Sequence, residues 1–320
     1  MMTRRPWNNC RWTSFSTERR FDRQERDINM LFAILFPILV ASQEPCPTCV
    51  RGNETCYNVS HVFDIDAPFR NRVVIHKLAL LRSSNTLFYS FEPRITDPEY
   101  YKVGSINIDD PTNSSVVSVG KTMNFGTFDL DQDNGLVYLG GGDGIYVLDT
   151  KVDKVAPYSS RGDSVLSLFY KGNVYFVTYG DSRVVKKKGD NFEVIVEHTM
   201  PLKTFVVSKD YVTVCLSTYG LFASKKDEIV WLSYNPYFRG LAIDRHDVIY
   251  TWWLDGIYKV IIEKNLSESR IVKAVYIDDV GSLTFDLDNN FIFTSGKSLY
   301  RLNDLNTTCD GSEKKKKIRI

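Results

Sequence analysis

From about residue 57 to residue 304, apolar residues recur at every second position in short runs, with polar residues between them. This alternation marks half-buried β-strands, because neighbouring side chains of a strand point to opposite faces. Asn134-Gly135, Asp255-Gly256 and Asp288-Asn289 stand between runs. These residue types tolerate the positive φ of tight turns. No long helical period intervenes, so the pattern predicts an all-β chain.

The runs repeat. Phe128-Asp129-Leu130-Asp131 precedes Asn134-Gly135, LVYLGG and GDGIYVLDT. Phe285-Asp286-Leu287-Asp288 precedes Asn289-Asn290, FIFTSG and KSLYRLND. Ala242-Ile243-Asp244-Arg245 leads to DVIYTWW and LDGIYKVII, and Val206-Val207-Ser208-Lys209 leads to YVTVCLSTYG and LFAS. Weaker copies start at Leu78 and Leu166. Aligning Asp129, Asp244 and Asp286 as turn residues sets a period of about 40 residues.

A unit of three or four strands cannot bury both faces alone. Arrayed around an axis it becomes a blade, and the repeat predicts a six-bladed β-propeller. Blades are expected to start near residues 76, 124, 164, 203, 239 and 281. The last unit lacks a fourth strand, and YNVSHVFDID after Cys56 can supply it, so the amino-terminal segment is expected to close the last blade. Two stacked β-sandwiches are the competing arrangement. The third strand carries D-G-I-Y at residues 143–146 and again at 255–258, and that regularity argues against them.

The amino end changes the picture. Residues 28–41, INMLFAILFPILVA, are almost wholly apolar. The run is shorter than the roughly 20 residues of a membrane-spanning helix. It fits a signal-peptide core, with Val40-Ala41-Ser42 ahead of the cleavage point; a buried segment or a short anchor is the alternative. The division expected is residues 1–29 an upstream extension absent from the mature protein, 30–42 a signal peptide, 43–310 a single propeller domain, and 311–320 a basic disordered tail. The whole chain carries a formal charge of +1. Residues 1–42 hold seven Arg against Glu18, Asp22, Glu25 and Asp27, so the mature chain carries −2. Such a balance gives no bulk attraction to nucleic acid or to anionic membranes.

Secretion makes sense of the cysteines and sequons. Cys46, Cys49, Cys56 and Cys309 sit at the two ends of the mature chain and are expected to form disulfides, one of them joining the amino-terminal cluster to Cys309. Cys215 lies in an apolar run and is expected to be a buried free thiol. A zinc site at Cys46 and Cys49 needs two more ligands, and only Cys56 is near. Sequons at Asn53, Asn58, Asn113, Asn265 and Asn306 mark expected glycosylation sites.

On one face of a propeller, the loops into each inner strand meet the loops between second and third strands, and ligands bind there by analogy with the fold. That face is expected to gather Asn124, Arg161, Tyr179, His198, Tyr219, Tyr237, Arg239, Trp252 and Trp253. Aromatic rings with one or two Arg suit a flat, conjugated, acidic ligand. Trp252 and Trp253 are adjacent, so at least one belongs to blade packing. Arg161-Gly162-Asp163 also spells an adhesion tripeptide, which chance often supplies.

No G-x-S-x-G, H-E-x-x-H or Walker loop occurs. No catalytic residue, metal site or cofactor is expected. A calcium-dependent lactonase on this fold would need carboxylates at the entering loops, where Asn124 and Asp163 stand beside Arg161, His198 and Arg239.

Beyond these patterns, CPTCVRGNETCYNVSHVFDIDAP, LFYSFEP, EYYKVGSINIDDPTN and FDLDQDNGLVYLGGGDGIYVLDTKVDKVAPYSSRGD resemble the insect ommochrome-binding proteins. The resemblance runs from about Cys46 to Cys309, with its late CDG, and leaves out residues 1–29. It implies a secreted haemolymph glycoprotein that carries ommochrome pigments, phenoxazinones of the ommatin or xanthommatin type. It names no contact residues. The leading expectation is a non-enzymatic pigment carrier. The competing ones are a lactonase-like hydrolase and an extracellular protein-interaction scaffold.

Overall fold

In the computed structural model, residues 49–52, 55–118, 122–159, 164–226 and 228–305 are described. They form a six-bladed β-propeller. Two strands come first, β1 (Cys49–Arg51) and β2 (Cys56–Asp64). Blade I holds β3 (Ile75–Leu81), β4 (Thr86–Phe91), β5 (Lys102–Asn107) and β6 (Ser114–Val116). Blade II holds β7 (Thr127–Asp131), β8 (Leu136–Gly141), β9 (Gly144–Asp149) and β10 (Lys154–Ser159). Blade III holds β11 (Val165–Tyr170), β12 (Val174–Thr178), β13 (Arg183–Lys188) and β14 (Asn191–Glu197). Blade IV holds β15 (Leu202–Val207), β16 (Thr213–Ser217), β17 (Gly220–Lys225) and β18 (Glu228–Ser233). Blade V holds β19 (Gly240–Ile243), β20 (Ile249–Trp253), β21 (Gly256–Ile261) and β22 (Arg270–Val275). Blade VI holds β23 (Leu283–Phe285), β24 (Phe291–Ser295) and β25 (Ser298–Asp304).

The inner strands β3, β7, β11, β15, β19 and β23 start within three residues of the positions expected from the repeat. Each meets the next around the axis, and β23 meets β3, so the ring is closed. Closure is by the amino-terminal segment, as the missing fourth strand implied. β2 pairs antiparallel with β25, from Tyr57 opposite Asp304 to Asp64 opposite Ser298, and β1 adds a fifth strand outside it. Cys56 opens β2 and is disulfide-bonded. Cys215 is the buried free thiol expected. The expectations for residues 1–48 (Cys46 among them), Asn53, Arg161, Asp163, Asn306, Cys309 and the basic tail lie outside the described residues, as does the Cys49 side chain.

The core sits between blades rather than inside them. Trp252, Ile257 and Val275 of blade V pack with Leu283, Phe293 and Leu302 of blade VI. Ile65, at the end of the closing strand, packs with Ile292 and Leu299 of blade VI and Leu78, Leu87 and Phe91 of blade I. Polar bonds add to this at the inner strands. Thr127 Oγ1 accepts from the Leu168 amide at 3.2 Å, and Ser167 and Thr204 hydroxyls meet at 3.1 Å. Gln132 bridges blades I and II, accepting from the Arg82 amide and donating to the Leu80 carbonyl. At Gly220, φ is +134° and a Cβ would stand 2.1 Å from the Ser233 carbonyl oxygen, so this β16–β17 turn requires glycine.

One part of the repeat alignment is corrected. Asp244 and Asp286 are turn residues, each accepting from two backbone amides of its own turn. Asp129 is not. In blade II the turn acceptor is Asp131, which takes the Asp133 and Asn134 amides. Asp129 lies two residues earlier, inside β7, where it lines the axial cavity.

Candidate functional site

A cavity of about 980 Å³ follows the inner strands along the axis. Its upper mouth lies where the inner strands begin, and is bordered by Arg70, His76, Tyr100, Tyr101, Asn124, Tyr179 and Arg239. Its lower mouth, at the turns that end those strands, is bordered by Arg82, Gln132, Lys171, Arg245 and Asp247. The charged lining comprises Arg70, Lys77, Arg82, Lys171, Lys203, Arg239 and Arg245 against Glu92, Asp129, Asp244 and Asp247. Cations thus outnumber carboxylates seven to four, in a chain whose overall charge is only +1. Such a lining draws anionic ligands.

The aromatic rim is held by its own loops. Tyr100 stands on the β4–β5 loop, whose Tyr100 amide donates to Asn124 Oδ1 at 2.6 Å. Glu99 in the same loop accepts from the Met123 amide at 2.6 Å and pairs with Lys102 at 3.2 Å. Tyr179 stands on the β12–β13 loop, tied down by its amide bond to the Ser164 carbonyl. Asp181 of that loop grips Arg183 through both carboxylate oxygens, and the guanidinium holds its carboxyl below the usual range. Tyr100 and Tyr179 are about 70% exposed despite these anchors. Rings presented to solvent from an anchored backbone are surfaces ready to stack.

Blade I supplies the charged wall. Glu92 sits between Arg70 Nη1 at 3.0 Å and His76 Nε2 at 3.3 Å, and the His76 ring meets Tyr101 edge-on at 5.4 Å. Burial lowers the His76 pKa, with Glu92 opposing. Deeper, Lys77 Nζ donates to the Leu168 carbonyl at 2.9 Å and lies 3.5 Å from Asp129 Oδ1. Burial pulls the Lys77 pKa down while Asp129 pulls it back up. Asp129 Oδ2 accepts from the Tyr170 amide at 2.7 Å. One ammonium and one carboxylate are thereby fixed side by side between blades I, II and III.

The structure distributes the sequence-derived candidates. Asn124, Tyr179, Arg239 and Trp252 line the cavity. The Arg239 guanidinium is committed to the Val280 carbonyl at 2.7 Å and, more loosely, Asp279. Trp252 is 2% exposed, its Nε1 donates to the Gly281 carbonyl at 2.9 Å, and its ring fills the space against Gly240; it is the packing member of its pair. Trp253 stacks on Tyr237 at 6.2 Å, away from the cavity lining. Tyr219 is exposed on the β16–β17 turn, also off the lining. His198 is stacked on Phe222 at 4.4 Å with Trp231 at its edge, and burial lowers its pKa. Lys77, Asp129, Arg70, Glu92 and Tyr101 were not singled out. Arg70 lies on the connection between β2 and β3 and Glu92 just after β4, outside the alternating runs, and Asp129 was assigned to a turn.

No family model matches the chain. The chain is similar to an ommochrome-binding protein of Manduca sexta, 22% identical over 232 residues, which are 71% of this chain and 82% of that one. This agrees with the resemblance drawn from the sequence. Among solved structures, a gluconolactonase from Xanthomonas campestris superposes with a TM-score of 0.56 at 13% identity, over 82% of this chain and 99% of that one. A streptogramin B lyase superposes with a TM-score of 0.54 at 10% identity, over 78% and 98%. At these identities the likeness is one of fold.

Proposed function

We propose that this protein is a secreted carrier that holds a planar, acidic pigment of the ommochrome class in the upper mouth of its axial cavity, without catalysis. One observation carries the reading: a cavity of about 980 Å³ has Tyr100, Tyr101 and Tyr179 at its mouth and an excess of cations along its wall. Rings of that kind stack on a conjugated body, and the cations attract its acid groups. The similarity to the Manduca sexta ommochrome-binding protein supports the choice of pigment class. Placement in the haemolymph follows from the same reading. It is supported by the disulfide at Cys56 and by the exposed sequon residues Asn113 and Asn265, whereas Asn58 is half-buried in β2. No helix among the described residues is long and apolar enough to cross a membrane.

The decisive experiment mixes purified protein with xanthommatin and follows visible absorbance and Trp emission. Trp252 stands in the cavity wall, so a bound pigment should quench it. An unshifted spectrum and unquenched emission at micromolar pigment defeat the reading.

A calcium-dependent lactonase is the second reading, favoured by the fold likeness to a gluconolactonase. The residues fit that metal poorly. Among the described residues no three His, Cys, Asp or Glu side chains come together, and Asp129 has Lys77 beside it. Calcium takes six to eight oxygen ligands, for which an adjacent ammonium competes. Turnover of a lactone panel that EDTA abolishes would favour this reading over the carrier.

A further inference from the structure

The geometry points to a headgroup site at Lys77 and Asp129 for an α-amino acid zwitterion carried on an aromatic body. It rests on the carrier reading in taking the axial cavity as the place where ligand binds. It goes further in saying which end of the ligand is recognised, and by what.

Lys77 and Asp129 both line the cavity, one on β3 and one on β7. An ammonium has three N–H donors. Lys77 places one on the Leu168 carbonyl at 2.9 Å and directs another to Asp129 at 3.5 Å. The second contact is longer than the roughly 2.7–2.9 Å of a close ion pair. Asp129 spends one oxygen on the Tyr170 amide at 2.7 Å. A carboxylate has about four acceptor sites, so further acceptor capacity remains. The two groups are fixed by backbone partners of blade III, not by tight contact with each other.

A ligand with a carboxylate alone gains Lys77 but faces Asp129 at short range. A ligand with an ammonium alone gains Asp129 but faces Lys77. A group carrying both charges two bonds apart satisfies both residues at once. The tyrosines at the mouth accept the aromatic remainder.

The test is calorimetric titration of the full-length secreted protein with L-tryptophan, tryptamine and indole-3-propionate, which differ only in the headgroup. Tryptophan is expected to bind at least about tenfold more tightly than either truncated compound, the worth of one charge-assisted hydrogen bond. The double variant Lys77→Met with Asp129→Asn leaves no lone buried charge, and the Asn can still accept from the Tyr170 amide. It is expected to bind all three compounds within about threefold of one another, with an unchanged far-ultraviolet spectrum.

The inference is overturned by any of three results on protein that is folded: either truncated compound binding the wild type within about threefold of tryptophan, no tryptophan binding at millimolar concentration, or a double variant that keeps the preference. Xanthommatin binding without a zwitterion preference removes this inference and leaves the carrier. A zwitterion preference without xanthommatin binding removes the pigment and leaves the headgroup site.

Discussion

Ser298 Oγ donates to Asp64 Oδ1 at 2.7 Å, joining residues 234 positions apart in the chain. The bond fastens the closing strand β2 to β25 at its inner end. His61 and Lys297 also face Asp64, at 3.1 and 3.2 Å. The Ser298 hydrogen bond, followed by that of His61, holds the Asp64 pKa at about 2, below the ordinary 3.8.

A depressed carboxylate pKa stabilises the fold above the unfolded-state value, and the contribution fades as pH falls through the folded-state value. For Asp64 the loss is expected between about pH 4 and pH 2. Asp64 is 44% exposed, so solvent screening limits its share to roughly 1 kcal/mol. Asp64→Asn is expected to lower stability by about that amount at pH 7 and to match the wild type near pH 2, as read by urea titrations at both pH values.

Ile65, the next residue, is fully buried between blades VI and I. Ile65→Ala is expected to cost about 2–5 kcal/mol, from lost transfer energy and the cavity left behind. Chemical denaturation should show the loss as a lower midpoint with an unchanged slope, because ring closure fails together with the rest of the fold.

Gly240 faces the Trp252 ring so closely that a Cβ would lie 2.5 Å from its Cη2. Gly240→Ala is expected to displace the indole, break its bond to the Gly281 carbonyl and cost about 1–3 kcal/mol. Trp emission should shift to longer wavelength as the ring gains solvent.

Cys215 is fully buried in β16, and burial pushes its thiol pKa well above the ordinary 9.0. A thiol kept protonated and out of reach is inert. A thiol reagent is expected to leave Cys215 unmodified in native protein and to modify it once denaturant unfolds the blade, as read by intact mass.

The blades were legible because each inner strand is an alternating run ended by a turn that calls for Asn, Asp or Gly. The closing strand was legible because blade VI has three strands of its own and the segment after Cys56 alternates in the same way. The cavity chemistry was less legible. The FDLD text occurs at 128–131 and at 285–288, but the first copy stands two residues earlier relative to its turn. A shift of two leaves the inward and outward alternation unchanged, so periodicity cannot detect it. That offset placed Asp129 at a turn on the page and beside Lys77 in the fold. His198 shows the other limit. Its loop position suggested a ligand contact, but its ring stacks on Phe222, and no local pattern announces a packing partner on another strand.

The pairing of β2 with β25 also sets a schedule for synthesis. Residue 64 leaves the ribosome long before residue 298 is made. At roughly 5–20 residues per second, β2 waits on the order of ten to fifty seconds for its neighbour. Throughout that interval its backbone amides and carbonyls form an unpaired edge, able to pair with another nascent chain. The ring therefore closes only after translation has passed β25, and a copy truncated before β23 would be a five-bladed arc with two sticky ends.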